Sequence, residues 1–461
     1  MKFLPESAIH CKARLGTLMS LDRSPNVNLQ TPLLLLYTKR GSIPHLTKDV
    51  LKKVTTDQHL LSISLPTTII MSESVKQVNS FSEFVGLKEY STFLSIQDPA
   101  YTTQSGGQIK NSVSIWSKSG RYTLTPDKYM DIVEAYKPDL YVALCDGDTN
   151  STSSSKRISK AVERSKMFLE QCLQRHNSSE VLKSKSILGA VEGGYNLNAR
   201  EASIKHLENK PLTGFIIDGL HNNGPDVQNI MIKEVKDVIQ YTIAILLQDR
   251  LPSDKLRVSM GSWNPTTVLD LIELGVDVFD SSYPYLMTES FQALIFMCDH
   301  HHISNGISKH TISVAEKRYA DDFSPICNSC ECLTCRNHSR AYINHLCHTK
   351  ELLCMVLLMI HNLHQYLRFF EAIRDHLKQG TFTEFQEKIR SRFLPNPENQ
   401  LVGRRMYWIF SFHLNNCTVG TQVNSFRTFC ASPSCALQRF FSTRNALQMH
   451  GNRLIALSNF Y

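Results

Sequence analysis

Between Asp139 and Asp280 the chain alternates short apolar runs with longer amphipathic ones. The apolar runs are LYVALCD (Leu140–Asp146), ILGAVEGG (Ile187–Gly194), GFIIDG (Gly214–Gly219), VSMGS (Val258–Ser262) and VDVFD (Val276–Asp280). They have strand length and end in turn-forming residues, so they read as buried strands. Between them lie SKAVERSKMFLEQCLQR (Ser159–Arg175) and VQNIMIKEVKDVIQYTIAILLQ (Val227–Gln248), which read as amphipathic helices. Strand and helix in alternation predict parallel βαβ units and an α/β fold. Upstream, TFLSIQD (Thr92–Asp98) adds a strand, and SVSIWSKSGRYTL (Ser112–Leu124) reads as a hairpin centred on Ser119-Gly120.

The carboxyl ends of these strands carry Asp98, Asp146, Glu192, Asp218 and Asp280. In a (β/α)8 TIM barrel that rim is where active sites are built. An open doubly wound sheet would place a ligand at the same ends. No GxGxxG or phosphate-binding loop follows any of the strands, which favours the barrel. A single strand-end carboxylate also serves as the cap of the next helix, whereas five together favour a site.

Beyond Gln292 the alternation stops. DHHHISNGISKH (Asp299–His310) reads as a solvated polar insertion, and a group of cysteines follows from Cys327. A long helix is expected from Thr349 to Lys378, with Gly380 as its C-cap. From Phe393 no periodicity is evident. Cys430, Cys435 and His450 resemble part of a zinc finger without its second histidine, and residues 393–461 are expected to be a poorly ordered tail.

Composition changes this picture little. The 461 residues are 42% hydrophobic and 20% charged, which is globular rather than disordered. A net charge of +8 permits a nucleic-acid partner without demanding one, and from charge alone an ordinary solvated basic surface is the favoured reading. The start lacks the apolar segment of a signal peptide, and Glu6 with few arginines speaks against a transit peptide. The run Leu352–Ile360 is far short of the about 20 residues a bilayer span needs. A soluble intracellular protein is expected. There the cysteines, 13 in all and unevenly spread, point to a metal rather than to disulfides.

Cys327, Cys330, Cys332 and Cys335 are too closely spaced to form two facing zinc knuckles, whose pairs stand about 15–20 residues apart. Three thiolates from one turn plus a distant imidazole is easier geometry, with zinc–sulfur bonds of about 2.3 Å. His338, His345, His348, His361 and His364 are the available rings. His361 follows MVLLMI within a helix, where a polar ring needs a partner; a hydrogen-bonded core histidine is the plain alternative.

Cys330-x-Cys332-x2-Cys335 followed by His361 is similar to the zinc-ligand pattern of the tRNA-guanine transglycosylases, and the resemblance runs from about Ala8 to Arg392. That family comprises zinc-bearing TIM barrels that exchange the wobble guanine of certain tRNAs for queuine or a precursor. The resemblance implies one structural Zn2+ held by Cys330, Cys332, Cys335 and His361. It implies a barrel over residues 1–392 with a zinc-binding subdomain at 327–380. LGVDVFDSSYPY resembles the segment of the nucleophilic aspartate and maps it to Asp280. SIQDPAYTTQSGG maps the second catalytic aspartate to Asp98. ALCDGD places Asp146 at a base-recognising position, and GAVEGG places Glu192 where a substrate-pocket glutamine is usual.

Two motifs depart from the active pattern. Asp280 is followed by Ser281-Ser282-Tyr283-Pro284-Tyr285-Leu286, where the family's active members place a small threonine and an RNA-gripping arginine. Asp98 is followed by Pro99-Ala100, and Ser105-Gly106-Gly107 lies out of frame with it. Proline removes a backbone donor and restricts the residue before it. RLGTL, LLYTKRGSIPHLT, SVSIWSKSGR and NHSRAYINHL resemble the family's eukaryotic non-catalytic branch. This implies a heterodimer with a catalytic queuine tRNA-ribosyltransferase subunit, and a tRNA partner. It also implies a cytoplasmic protein, peripheral on the mitochondrial outer membrane, and no catalytic residues of its own. The competing expectation is an active transglycosylase with Asp280 as nucleophile. The blandest is a zinc-stabilised barrel without an RNA role.

Overall fold

The computed structural model describes residues 1–7, 13–23, 25–102, 104–220, 232–245, 253–298 and 310–392. They fall in one compact unit, Met1–Asn396. Most of the His-rich insertion and the whole segment from Phe393, with Cys430, Cys435 and His450, lie outside the described residues.

The chain opens with an antiparallel sheet of β1 (Lys2–Ser7), β2 (Arg14–Met19) and β3 (Leu29–Thr31). Then come β4 (Leu33–Thr38), β5 (Leu60–Ser64) and β6 (Ser91–Ser95), the hairpin β7 (Val113–Ser117) and β8 (Gly120–Leu124), and β9 (Leu140–Val142). After these follow β10 (Ser186–Val191), β11 (Gly214–Ile217), β12 (Leu256–Val258) and β13 (Val278–Asp280). Eight of these strands close a barrel in the order β10-β11-β12-β13-β4-β5-β6-β9, and every pairing is parallel. All residues of β4, β5, β6 and β10 are buried, as a sheet covered on both faces requires. The (β/α)8 barrel expected from the alternation is the architecture.

The strands are shorter than the apolar runs that announced them. Leu140–Asp146 pairs only to Val142, Gly214–Gly219 only to Ile217, and Val258–Ser262 gives way to Leu256–Val258. The remaining residues form the rim, where the backbone turns towards the next helix. The hairpin turns at Lys118-Ser119, so its centre falls one residue earlier than expected. The long helix is also re-bounded. Thr349 ends a separate helix, α1 (Arg340–Thr349), because Lys350 adopts the left-handed conformation (φ 59°). α2 then runs Leu352–Gln379 and stops at Gly380, whose φ of 73° suits glycine.

α2 is the strut of the extra-barrel region. Tyr366 Oη donates to the carbonyl of Trp263 at 2.9 Å, and Phe369 packs edge-on against Phe296 at 5.2 Å. Arg374 and Lys378 near its far end reach Pro32 O and Gln30 Oε1, both at 3.0 Å. The N-terminal sheet has a second tie, to the barrel itself. Arg14 binds both oxygens of the buried Asp277, and its Nη1 donates to Ser253 O at 2.7 Å. No helix among the described residues is long and apolar enough to cross a membrane.

Candidate metal centre and barrel mouth

Cys332 caps the short helix Leu333–Asn337, its sulfur accepting from Cys335 N at 3.4 Å. The turn is seated on α2 by Thr334 Oγ1, which donates to Leu357 O at 2.7 Å, one helical turn before His361. His361 is fully buried, and its Nδ1 lies 3.2, 3.6 and 3.7 Å from the sulfurs of Cys335, Cys332 and Cys330. Its Nε2 stands 2.7 Å from the carbonyl of Leu294. A carbonyl only accepts, so the ring proton is assigned to Nε2 and the Nδ1 lone pair faces the sulfurs.

That set fits a tetrahedral ion. With bonds of about 2.3 Å to sulfur and about 2.0 Å to nitrogen, adjacent ligand atoms stand about 3.6 Å apart. The observed nitrogen–sulfur separations bracket this value, and all four ligand atoms lie within 4.8 Å of one another. The backbone bond on the far side of the ring is the outer support that metal-binding histidines usually have. His348 is used elsewhere, bonding Asn344 O at 2.8 Å, and His338 stacks on Tyr342. Cys327, counted with the cluster in the sequence, is instead joined to Cys298 in a disulfide. The expectation that the clustered cysteines serve a metal rather than disulfides therefore fits three of the four, and Cys298 and Cys327 correct it.

The barrel mouth gathers the strand-end carboxylates. Asp280 is buried, with Oδ2 accepting from Gly261 N and Oδ1 from Ser282 N, both at 2.8 Å. Ser282 begins the next helix, Ser282–Glu289, whose N-cap residue is Ser281, so Asp280 accepts the first helical amide from just outside the cap position. Burial raises its pKa to about 6 despite those bonds. Asp98 accepts from Ser64 Oγ at 2.7 Å, Ala100 N at 2.9 Å and Tyr37 Oη at 3.0 Å. Burial pushes its pKa up as well. The donor that Pro99 removes is thus replaced by the next amide along. Gly106 N donates to Asp148 Oδ2 at 2.8 Å, remote in sequence from Asp98. Lys39 Nζ lies 2.5 Å from Tyr285 Oη and near the rings of Tyr285 and Tyr101, which fills the rim beside Asp98 with aromatic surface.

Asp146 is fully buried and accepts three guanidinium hydrogen bonds. Arg157 meets it end-on, Nη1 at 3.0 Å from Oδ2 and Nη2 at 2.5 Å from Oδ1, and Arg164 Nη1 adds a bond of 2.8 Å to Oδ2. Both arginines sit on the helix Ser155–Ser178, two turns apart on one face. Their seven-residue spacing puts them on one helix face, but the sequence alone does not show which carboxylate that face meets. Glu192 is also fully buried, and neither carboxylate oxygen has a hydrogen-bond partner. Burial and the nearby Asp218 carboxylate raise its pKa well above the usual range.

A family profile described as queuine tRNA-ribosyltransferase matches residues 10–394. Among curated relatives, the protein of Aedes aegypti named queuine tRNA-ribosyltransferase accessory subunit 2 is 39% identical over 395 residues, covering 85% of this chain and 93% of its own. The Culex quinquefasciatus protein of the same name is 41% identical, covering 83% and 90%. That of Anopheles gambiae is 38% identical, covering 84% and 90%. The chain therefore belongs to the queuine tRNA-ribosyltransferase family.

Proposed function

We propose that this chain is the non-catalytic accessory subunit of a tRNA-guanine transglycosylase, pairing with a catalytic homologue that exchanges wobble guanine for queuine in tRNAs with GUN anticodons. The observation that carries this reading is the clamp on Asp146. A flipped base needs acceptors for its N–H groups at the pocket wall. Three guanidinium bonds already occupy that carboxylate, so an incoming base meets cations where it needs an acceptor. Asp280 persists at the position of the nucleophile, but a nucleophile beside a closed base site has no positioned substrate to attack. The names of the relatives support the same reading.

In this reading Cys330, Cys332, Cys335 and His361 hold one Zn2+, which serves as a cross-link between the cysteine turn and α2. Four protein ligands leave no open position for water, so the ion is structural. Residues 1–392 form the functional barrel, with 327–380 its metal-bearing part. The tRNA is shared with the partner subunit. Association with the mitochondrial outer membrane is then peripheral, through protein or electrostatic contacts.

Labelled-guanine exchange tests this with the chain alone, the catalytic subunit alone and the mixture. Activity in the mixture only, unchanged by Asp280→Ala in this chain, supports the proposal. Exchange by this chain alone, abolished by Asp280→Ala, overturns it in favour of the active-enzyme reading.

A further inference from the structure

A second group of side chains meets at the ends of three consecutive barrel strands. Cys145 follows β9, Glu192 follows β10 and Asp218 follows β11. One ligand atom from each, a sulfur and two carboxylate oxygens, lies within 4.8 Å of the other two. Cys145 and Glu192 are buried, and the Cys145 thiol stands 3.4 Å from Asp218 Oδ2.

The packing holds the two acids close together. A Cβ built on Gly147 would lie 2.5 Å from Asp218 Oδ2, and one on Gly219 would meet Glu192 Oε2 more closely still. Glycine at both positions leaves the carboxylates where they are. Yet neither oxygen of Glu192 is hydrogen-bonded. An unpaired buried carboxyl is costly, and a second carboxylate beside it makes ionisation costlier. Of the nearby cations, only Arg200 is left to face Glu192: its Nη2 is buried without a hydrogen-bond partner and its charge partly offsets the two acids, without bonding either Glu192 oxygen. Arg157 and Arg164 bind Asp146, while Arg200 Nε and Nη1 donate to the carbonyls of Gly194 and Val191.

We propose that Cys145, Glu192 and Asp218 form a second divalent-cation site, distinct from the Cys3His centre, selective for a thiophilic transition ion such as Zn2+ or Co2+. One thiolate with two carboxylates suits those ions, whereas Mg2+ and Ca2+ prefer oxygen alone. An ion bonded at about 2.0–2.3 Å brings its ligand atoms to about 3.5 Å apart, a small side-chain rotation from the present spacing. Loading expels the Cys145 thiol proton and the Glu192 carboxyl proton to solvent. Three protein ligands leave a coordination position for water or a small anion, unlike the closed first centre. The inference is independent of the accessory-subunit reading.

The test is metal stoichiometry on the full chain, by elemental analysis after equilibration with Zn2+ and by visible absorption after equilibration with Co2+. Two ions per folded chain are expected. Cys145→Ala and Glu192→Gln should each give one ion, with the cobalt–thiolate bands of the remaining centre intact. Cys332→Ala should also give one, with the complementary spectrum. Circular dichroism confirms that each variant is folded, and Glu192→Gln, nearly isosteric, serves if Cys145→Ala misfolds. One ion per wild-type chain, or two that survive both Cys145→Ala and Glu192→Gln, would overturn the assignment.

Discussion

His361 and Leu294 are joined by a 2.7 Å bond, ring nitrogen to backbone carbonyl, that fixes which edge of the imidazole faces the cysteines. Leu294 lies on a short strand, Gln292–Leu294, just after the last barrel helix. The ring is oriented by the barrel side before any ion arrives. Its lone pair is then aimed at three sulfurs from an otherwise separate turn.

From this, Cys332→Ala removes both a ligand sulfur and the cap of the helix Leu333–Asn337. The variant is expected to lose one metal ion per chain and to melt roughly 5 °C or more below the parent, because lost binding energy is lost folding energy. Metal analysis and calorimetry check it. Retention of metal with an unchanged melting point would count against the ligand set.

Acid should release the same ion. Thiolates bind metal and thiols do not, so each sulfur that regains its proton weakens the site. A zinc-sensitive dye should report release as the pH is lowered, and Cys145→Ala should leave this phase unchanged.

The clamp on Asp146 gives an asymmetric prediction. Arg157→Ala with Arg164→Ala strands a fully buried carboxylate, which should cost about 3–5 kcal/mol. Asp146→Ala should cost less, since the freed guanidiniums are 25% and 15% exposed and can turn to water. Denaturant melts of the three proteins decide it. Equal losses would mean that the arginines pack rather than neutralise.

Asp280 sets a stability slope. Its pKa is raised by burial from about 3.8 to about 6, so between those values the folded chain holds a proton that the unfolded chain has released. Stability should therefore fall as pH rises from about 4 to about 6, by about 3 kcal/mol at most, and level off above. Asp280→Asn should flatten that slope, at the cost of one of the two amide bonds the carboxylate now accepts. A parent chain that gains stability from Asp280 over this window would refute the assignment.

Much of this was legible in the chain. The apolar runs of Leu140–Asp146 and Ile187–Gly194 announced buried strands because a barrel strand is covered on both faces, so its period vanishes and its length remains. The strand ends were not legible, since Ala143 and Gly219 look no different in a ladder and in a rim turn. Spacing marked four clustered cysteines and five candidate histidines, and the family resemblance singled out Cys330, Cys332, Cys335 and His361. Spacing alone did not separate Cys327 from them, because its partner Cys298 lies 29 residues upstream with no local pattern linking the two. The roles of Arg157 and Arg164 needed coordinates, as one face of a helix carries many charges and only the fold shows which meets a carboxylate.

α2 has a mechanical consequence. It is 28 residues long, about 42 Å of continuous helix, with His361 a third of the way along it and Lys378 against the N-terminal sheet. A rod pinned at the sulfurs and again at Gln30 transmits a tug at either anchorage to the other. The amino-terminal sheet is thus a remote gauge of whether the cysteine turn is fastened.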